Sequence, residues 1–220
     1  MTFYRFARAV VLSPCKVLFR VHVTGLEHVP TDGPYIVAPT HRSILDVPFA
    51  AFITRRTICF LAKEELFANS LLSRLFTALG AVRVERGTAD RGALRALESA
   101  LRNGSPVAVF PEGTRSRGPE ITPLFDGAAF LAVKIGVPIV PVGIGGSEGI
   151  LPKGKVLPRI RKVAVVVGAP IVPPVLEGRA RRAAATRLTG ELHDELQRVF
   201  TDATRLAGAS ERLRAGYPGS

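Results

Sequence analysis

Short apolar runs alternate with helix-like segments along most of this chain of 220 residues. Apolar runs of about five residues are typical of buried strands, whereas the segments between them repeat apolar residues every three or four positions, as helices do. The candidate strands are 35–39, 57–62, 81–85, 106–110, 139–143 and 163–167, and residues 17–23 fit a strand or a helix-to-strand transition. The candidate helices are 43–52, 70–79, 89–103, 127–135 and 178–206. The alternation predicts one α/β domain with a mostly parallel central sheet flanked by helices.

The first 13 residues, MTFYRFARAVVLS, fit an amphipathic helix. At about 100° per residue, one side of this helix carries Arg5 and Arg8. The opposite side is apolar and consists of Phe3, Phe6, Ala7 and Val10. Such a helix suits a membrane surface, and the alternative is an ordinary helix docked on the core. We therefore predict a membrane-associating segment 1–16, a globular domain 17–207 and a flexible tail 208–220.

The net charge of +12, from 30 Lys and Arg against 18 Asp and Glu, is the strongest signal in the composition. It favours a polyanionic partner, which could be nucleic acid, an anionic lipid surface or an acidic carrier protein. No apolar run reaches the ~20 residues of a membrane-spanning helix, and no cleavable leader is recognisable, so we expect no export. Cys15 and Cys59 indicate a reducing compartment, and we interpret them as small core residues rather than nucleophiles.

A histidine and an aspartate, His41 and Asp46, stand where a candidate strand meets a candidate helix, in the stretch THRSILD. Ser43 and Asp46 alone would fit a helix capping box, but that leaves His41 unexplained. With His41 in the turn and Asp46 in the first helical turn, the carboxylate could accept a hydrogen bond from one ring nitrogen. The other nitrogen would then be a general base that can deprotonate an alcohol.

Two other kinds of site find little support. A serine nucleophile is not favoured, because no G-x-S-x-G elbow is present. No two histidines have metal-ligand spacing, so we expect no metal, and without a P-loop or a G-x-G-x-x-G fingerprint we expect no cofactor. His22, His28 and His193 are weaker candidates than His41 for proton transfer.

A second polar stretch, VAVFPEGTRSRG, follows the candidate strand 106–110. Gly113 lets the backbone turn tightly and approach a ligand, and Arg115 can hold a phosphate with two hydrogen bonds. Glu112 could orient a ligand hydroxyl or the loop itself. The alternative is a polar turn with its arginine in solvent.

Two more stretches precede and follow this one. In LGAVRVERG, residues 79–87, Arg83 and Arg86 also suit a phosphate, although singly each would more often be a solvated surface charge. The stretch VPIVPVGIGG, residues 137–146, is an apolar strand that we interpret as a wall of the domain.

Four of these stretches, in this order, resemble the glycerolipid acyltransferase family that contains the 1-acylglycerol-3-phosphate acyltransferases. The family motif H-x4-D matches His41 to Asp46, and F-P-E-G-T-R-S is matched letter for letter by 110–116. The block G-x-x-F-I-x-R matches 80–86, except that Arg83 stands where the family usually has an apolar residue, and V-P-I-V-P-V resembles 137–142. The resemblance spans about residues 20–170 and implies a single glycerol-3-phosphate-acyltransferase-like domain.

The resemblance also implies roles for individual residues. His41 would be the general base and Asp46 its orienting partner. The implied substrate-binding residues are Lys63, Arg83, Arg86, Glu112, Gly113, Thr114 and Arg115. Arg115 would hold the phosphate of the acceptor, and the extra charge at Arg83 could favour a larger or more anionic head group, or be a surface substitution.

The implied reaction transfers a fatty acyl group from acyl-CoA or acyl-carrier protein to the free hydroxyl of lysophosphatidic acid and gives phosphatidic acid. The thioester is already activated because thiols have pKa values near ~8.5, so a base and correct placement suffice. Expected partners are an anionic phospholipid surface, at the cytoplasmic face of the membrane, and a lysophospholipid, with no nucleic acid. The alternatives are acylation of glycerol-3-phosphate or another lysolipid, a catalytically idle membrane-binding protein and, from another class, a basic nucleic-acid-binding module.

Overall fold

The computed structural model describes residues 2–84, 89–151, 157–174, 176, 178 and 180–208. The strands are β1 (His22–Thr24), β2 (Ile36–Pro39), β3 (Cys59–Lys63), β4 (Ala81–Val84), β5 (Val107–Ala108), β6 (Ile139–Gly145) and β7 (Ala164–Val167). The α-helices are α1 (Thr2–Leu18), α2 (Asp46–Ala50), α3 (Ser70–Ala78), α4 (Ala89–Arg102), α5 (Gly127–Ile135) and α6 (Ala180–Leu206).

The strands form one sheet in the order β1-β7-β6-β2-β5-β3-β4. Every neighbouring pair is parallel except β6 and β7, which run antiparallel. This confirms the predicted α/β fold with a mostly parallel sheet. β2 lies at the centre of the sheet, between β6 and β5.

Side chains alternate along each strand, and the strands carry apolar side chains on both faces of the sheet. Helices cover both faces for this reason. Ile36 and Ala38 point to the face that is covered by α4, α5 and α6. Tyr35 and Val37 point to the opposite face, where Phe49 and Ala50 of α2 and Phe19, just after α1, pack. Strands that are buried on both faces explain why the sequence shows continuous apolar runs rather than alternation.

Two glycines of β6 let α6 lie directly against the sheet. A β-carbon on Gly143 would come 2.2 Å from the backbone oxygen of Val199, and one on Gly145 would come 2.4 Å from the backbone of Ala203. These contacts are too short for any side chain, so glycine is required at both positions. The stretch 137–146 therefore has the structural role that we predicted, and α6 packs directly against it.

The structure corrects several predicted boundaries. α1 extends to Leu18 and β1 begins at His22, so the segment 17–23 is the predicted helix-to-strand transition rather than one strand. The predicted domain boundary between 16 and 17 lies within α1, and the division of the chain into segments stays a prediction. The helix expected from 43 begins only at Asp46, because residues 42–45 form a turn whose N–H groups bond to the Asp46 side chain. The predicted tail lies outside the described residues from 209 onward.

The predicted division of α1 into an apolar and a basic side is wrong in part. Ala7 is buried against the domain, and Arg8 points the same way and donates a 2.8 Å hydrogen bond to the carbonyl of Ala51. Phe6 and Val10, by contrast, are 65% and 50% exposed. The helix therefore packs on the domain through the side that carries Ala7 and Arg8, and the apolar side chains of Phe6 and Val10 stay exposed. None of the described helices is long and apolar enough to cross a membrane.

Candidate active site

The candidate site lies at the carboxyl edge of the two central strands β2 and β5. The H-x4-D turn follows β2 and the loop 110–116 follows β5, and neighbouring strands lie only about 5 Å apart. The chain leaves β2 towards β3 on one side and leaves β5 towards β6 on the other. The two connections pass each other in the strand order but leave on opposite faces of the sheet, since α2 packs with Tyr35 and Val37 and α5 packs with Ile36 and Ala38. Loops that leave neighbouring strands for opposite faces leave a crevice above the strand ends, where ligands bind in open α/β sheets.

His41 and Asp46 are in contact within this turn. Nδ1 of His41 lies 3.3 Å from Oδ2 of Asp46, which confirms that the two side chains meet. The same oxygen accepts hydrogen bonds from the backbone N–H groups of Arg42 at 2.5 Å and of Ser43 at 2.6 Å. Asp46 is fully buried, whereas the His41 side chain remains 19% exposed. The carboxylate is thus anchored by the backbone, and the imidazole reaches the surface.

Half of the alternative capping box is also present. The Asp46 carboxylate accepts a hydrogen bond from the N–H of Ser43, as in a capping box. The Ser43 hydroxyl, however, accepts from the N–H of Leu45 at 3.3 Å instead of from the N–H of Asp46. The capping and orienting roles of Asp46 therefore coexist, because one carboxylate oxygen serves the turn and the imidazole together.

The imidazole ring is fixed from a second direction by Phe110, whose ring centroid lies 4.2 Å away. Since the carboxylate accepts a hydrogen bond from Nδ1–H, the neutral ring carries its free lone pair on Nε2. No hydrogen bond from a described residue occupies Nε2. The geometry is that of a base with one nitrogen held and the other open.

Glu112 ties the two loops together. Its Oε1 accepts the backbone N–H of His41 at 2.9 Å, and its Oε2 accepts Nη1 of Arg42 at 2.8 Å and the hydroxyl of Thr122 at 3.1 Å. The N–H of Ser116 closes the same junction by donating to the carbonyl of His41 at 2.9 Å. Of the two roles considered for Glu112, the structure shows the orientation of the loop itself.

Sequence reasoning missed Arg42 and Thr40. The Arg42 side chain is fully buried in an ion pair with Glu112, and Thr40 accepts the N–H of Ile144 at 2.9 Å, which joins the turn to β6. The signal available for Arg42 was a charged residue between apolar runs, directly after the histidine. Its partner is 70 residues away, so the sequence could not show that the charge is buried.

Gly113 has a backbone that only glycine adopts readily. Its φ is +67°, and a β-carbon there would come 2.6 Å from the ring of Phe125. Thr114 and Arg115 beyond it are exposed. No described residue forms a hydrogen bond or ion pair with the Arg115 guanidinium, so this cation is available beside the turn.

The remaining predicted cations lie farther from His41. Lys63 ends β3, two strand positions from β2. Arg83 lies on the edge strand β4, roughly 14 Å from β2 along the sheet, and its side chain is 52% exposed, with Glu64 at 3.9 Å. Arg86 lies outside the described residues. The structure thus groups His41, Asp46, Glu112, Gly113 and Arg115, and separates Arg83 from them.

The cysteines take no visible part in this site. Burial raises the pKa of both the Cys15 and the Cys59 thiol, which disfavours the nucleophilic thiolate. Among the described residues, no three His, Cys, Asp or Glu side chains are gathered to hold a metal ion.

The site lies within a region that matches a known family. The model of the Acyltransferase family matches residues 20–145, more than half of the chain. The chain belongs to the Acyltransferase family. The resemblance of the H-x4-D and F-P-E-G-T-R-S stretches is thereby confirmed at the level of the family.

Individual relatives agree with this assignment. The chain is 31% identical over 183 residues to a 1-acyl-sn-glycerol-3-phosphate acyltransferase of Chlamydomonas reinhardtii, a match that covers 79% of this chain and 54% of that protein. It is 29% identical over 181 residues to the 1-acyl-sn-glycerol-3-phosphate acyltransferase of Bacillus subtilis, a match that covers 80% of this chain and 88% of that protein. The chain thus spans about half the length of the Chlamydomonas protein, but most of the Bacillus protein.

A solved structure shares the fold of this acyltransferase-family chain. The crystal structure of the 1-acyl-sn-glycerophosphate (LPA) acyltransferase PlsC from Thermotoga maritima matches with a TM-score of 0.68 and 29% sequence identity. The match covers 97% of this chain and 83% of the Thermotoga chain. The family match itself ends in β6, so β7 and α6 lie beyond it.

Proposed function

We propose that this protein transfers a fatty acyl group from acyl-CoA or acyl-carrier protein to the free hydroxyl of lysophosphatidic acid, which gives phosphatidic acid. The observation that carries the proposal is the held imidazole of His41, with its open Nε2, on the turn that is bonded to the F-P-E-G-T-R-S loop. The names of the relatives from Chlamydomonas, Bacillus and Thermotoga support lysophosphatidic acid as the acceptor.

In the proposed reaction His41 acts as the general base. Nε2 takes the proton of the acceptor hydroxyl while its oxygen attacks the thioester carbonyl, and the new C–O bond forms as the C–S bond breaks. The proton then passes from the imidazolium to the departing thiolate, so no metal or acyl-enzyme is required. Asp46 keeps the ring in one tautomer and stabilises the imidazolium charge.

The exposed cations would bind the phosphate of the acceptor. Arg115 adjoins the turn, and its guanidinium is unpaired among the residues that the structure describes, which suits bidentate contact with phosphate oxygens. Gly113 and Thr114 would let the backbone approach the same group. Lys63, Arg83 and Arg86 are proposed as further contacts for the head group, and Arg83 is exposed on the edge strand. Glu112 contributes by fixing the loop, since its carboxylate is already engaged inside the protein.

Membrane association is the second part of the proposal. Phe6, Val10 and Val17 form an exposed apolar stripe along α1, with exposed fractions of 65%, 50% and 76%, and Arg5 and Lys16 flank it. An apolar stripe with flanking cations suits the surface of an anionic bilayer. The acceptor is itself a membrane lipid, so α1 would bring the site to it at the cytoplasmic face.

The function is tested with purified protein, palmitoyl-CoA and a panel of acceptors, with products identified by mass spectrometry. The panel contains lysophosphatidic acid, glycerol-3-phosphate and lysophospholipids with larger head groups, and acyl-carrier protein replaces CoA in a repeat. We expect phosphatidic acid from the wild type and none from His41→Ala. Acylation of another acceptor alone would correct the substrate, and no product with either donor would refute the transferase proposal.

The membrane part has its own test, sedimentation with vesicles that contain phosphatidylglycerol. Phe6→Ser with Val10→Ser should release most of the protein from the vesicles, whereas Ala9→Ser, on the same exposed side, should not. Equal binding of both variants would contradict a role for the α1 stripe.

A further inference from the structure

We propose that Arg42 is a positioning residue for His41, and that the ring of Phe200 on α6 holds it in place. The buried guanidinium contacts three separate parts of the chain. Nη1 donates to Oε2 of Glu112 at 2.8 Å, Nη2 donates to the carbonyl of Glu120 at 2.8 Å, and Cζ lies 4.6 Å from the centroid of the Phe200 ring. The inference uses the proposed acyl transfer as one of its two readouts.

Stability alone is a poor explanation of this ion pair. Removing two charges from water is costly, and apolar replacements of buried ion pairs are often as stable as the pair itself. Geometry explains the choice of arginine better. A guanidinium is flat, presents donors in a fixed fork and stacks on aromatic rings, so it can be held in all three dimensions. Arg42 uses two of its nitrogens and one flat face for this purpose.

The orientation of Arg42 is transmitted directly to the catalytic turn. Arg42 follows His41 in the chain, and its own N–H donates to the carboxylate of Asp46. The carboxylate of Glu112 bonds the Arg42 side chain with one oxygen and the His41 backbone with the other. Fixing the guanidinium therefore fixes the backbone from which the imidazole projects, although the buried Arg42 side chain has no access to substrate.

α6 supports this arrangement from outside the region that matches the family. Phe200 is fully buried against the guanidinium. One turn earlier, Gln197 accepts the N–H of Ile121 at 2.8 Å and donates to the carbonyl of Pro119 at 3.2 Å. The segment that provides the Glu120 carbonyl is therefore held by the same helix. Residues 20–145 alone would lack this brace.

The kinetic test compares three variants of the full chain with palmitoyl-CoA and lysophosphatidic acid, below the unfolding temperature of each. Arg42→Lys keeps the charge but loses the fork and the flat face, so we expect kcat to fall about 30-fold with KM for the acceptor unchanged. Phe200→Leu keeps an apolar side chain and should lower kcat about fivefold. Leu192→Ala, a buried control about two turns earlier on α6, should lower stability but not kcat.

Two outcomes would overturn the inference. A wild-type kcat in Arg42→Lys would show that only the charge of Arg42 matters. An equal loss of kcat in Leu192→Ala and Phe200→Leu would show that α6 acts through general stability. If Arg42→Lys does not fold, the kcat values of Phe200→Leu and Leu192→Ala still test whether Phe200 positions the turn.

A second readout does not require any turnover. The chain has only four histidines, so the imidazole signals of His41 can be distinguished from the other three in ¹H–¹⁵N spectra. We expect one neutral tautomer, with the proton on Nδ1, in the wild type and in Leu192→Ala, and a mixture in Arg42→Lys and Phe200→Leu. An unchanged tautomer in both would refute the brace, whereas a mixture in a protein that acylates no acceptor would refute only the proposed function.

Discussion

Two regions near the carboxyl edge of the sheet differ in construction: the loops after β2 and β5, and the region around Arg83 of β4 and Glu64 after β3. The loops after β2 and β5 are joined by buried hydrogen bonds and a buried ion pair, which involve His41, Arg42 and Glu112. Beyond β3 and along β4, Arg83 is exposed and makes an ion pair of only 3.9 Å with Glu64. The first region is organised by buried contacts, and the second presents charge to solvent.

The difference corresponds to two physical tasks. A proton is transferred only when the heavy atoms lie within hydrogen-bond reach, so the base must be held closely. A phosphate attracts cations over longer distances, so exposed arginines can serve without fixed positions. Substitutions in the central loops should therefore change kcat, and substitutions towards the β4 edge should change KM or head-group preference by smaller factors.

The largest effect is expected at the centre, for Asp46→Asn. The amide keeps the shape of the side chain and can still accept from the turn, but it no longer stabilises an imidazolium. We expect kcat to fall about 10²-fold or more, with little change in KM for the acceptor. Steady-state kinetics with lysophosphatidic acid test this. Retention of most of the wild-type kcat would remove Asp46 from the mechanism.

Arg115→Ala should show the opposite division of effects. Loss of the exposed guanidinium should raise KM for lysophosphatidic acid about tenfold to 100-fold, because a charge-assisted contact with phosphate is lost. Arg117→Ala, an exposed arginine two residues farther on, is the matched control and should leave KM nearly unchanged. The same KM shift in both variants would indicate diffuse electrostatics rather than a site at Arg115.

A smaller effect is expected for Arg83→Leu, which restores the apolar residue that is usual in the family. Because Arg83 is exposed and lies at the sheet edge, KM for lysophosphatidic acid should rise at most about threefold. Competition between lysophosphatidic acid and lysophospholipids with larger head groups measures any change in preference. A tenfold loss with lysophosphatidic acid would place the phosphate nearer to β4 than to Arg115.

The smallest effect concerns stability, far from the site. Glu98 on α4 accepts hydrogen bonds from Lys134 on α5 at 2.6 Å and from Arg102 at 2.9 Å. These two cations hold the pKa of Glu98 below its usual value, and Lys134 has the larger effect. A lowered pKa in the folded state means that the stabilisation is present above about pH 4.3 and is lost as the pH falls through the folded value.

Glu98→Gln should therefore lower the free energy of unfolding by about 0.5–1 kcal/mol at neutral pH. The difference from wild type should close as the pH falls below about 4.3. Urea unfolding at several pH values measures it, and Glu191→Gln, an exposed glutamate on α6, serves as control. A difference that does not depend on pH would rule out the ion pair as its cause.

Much of the architecture was predictable because it depends on local composition. The helix predicted for 127–135 agrees with α5 at both ends, and six predicted apolar runs overlap strands of the sheet. The contact of His41 with Asp46 was predictable for a related reason, since five residues across a strand-to-helix turn leave few arrangements. The start of α2 was misplaced because the Asp46 carboxylate holds residues 42 and 43 in a turn through their N–H groups, and hydrophobic periodicity does not show such a contact.

Tertiary structure decided what surrounds that pair. Glu112 lies 70 residues from Arg42 in the chain, and Phe200 lies on a helix beyond the family match, so no local pattern links them. Burial likewise made Arg42 an internal support while leaving Arg115 exposed, although both are arginines in polar stretches. The amino-acid sequence by itself determined the fold class and the contact of His41 with Asp46, because both rest on neighbouring residues. The brace that holds the pair depends on parallel strands bringing distant segments to one edge, and only the folded chain shows it.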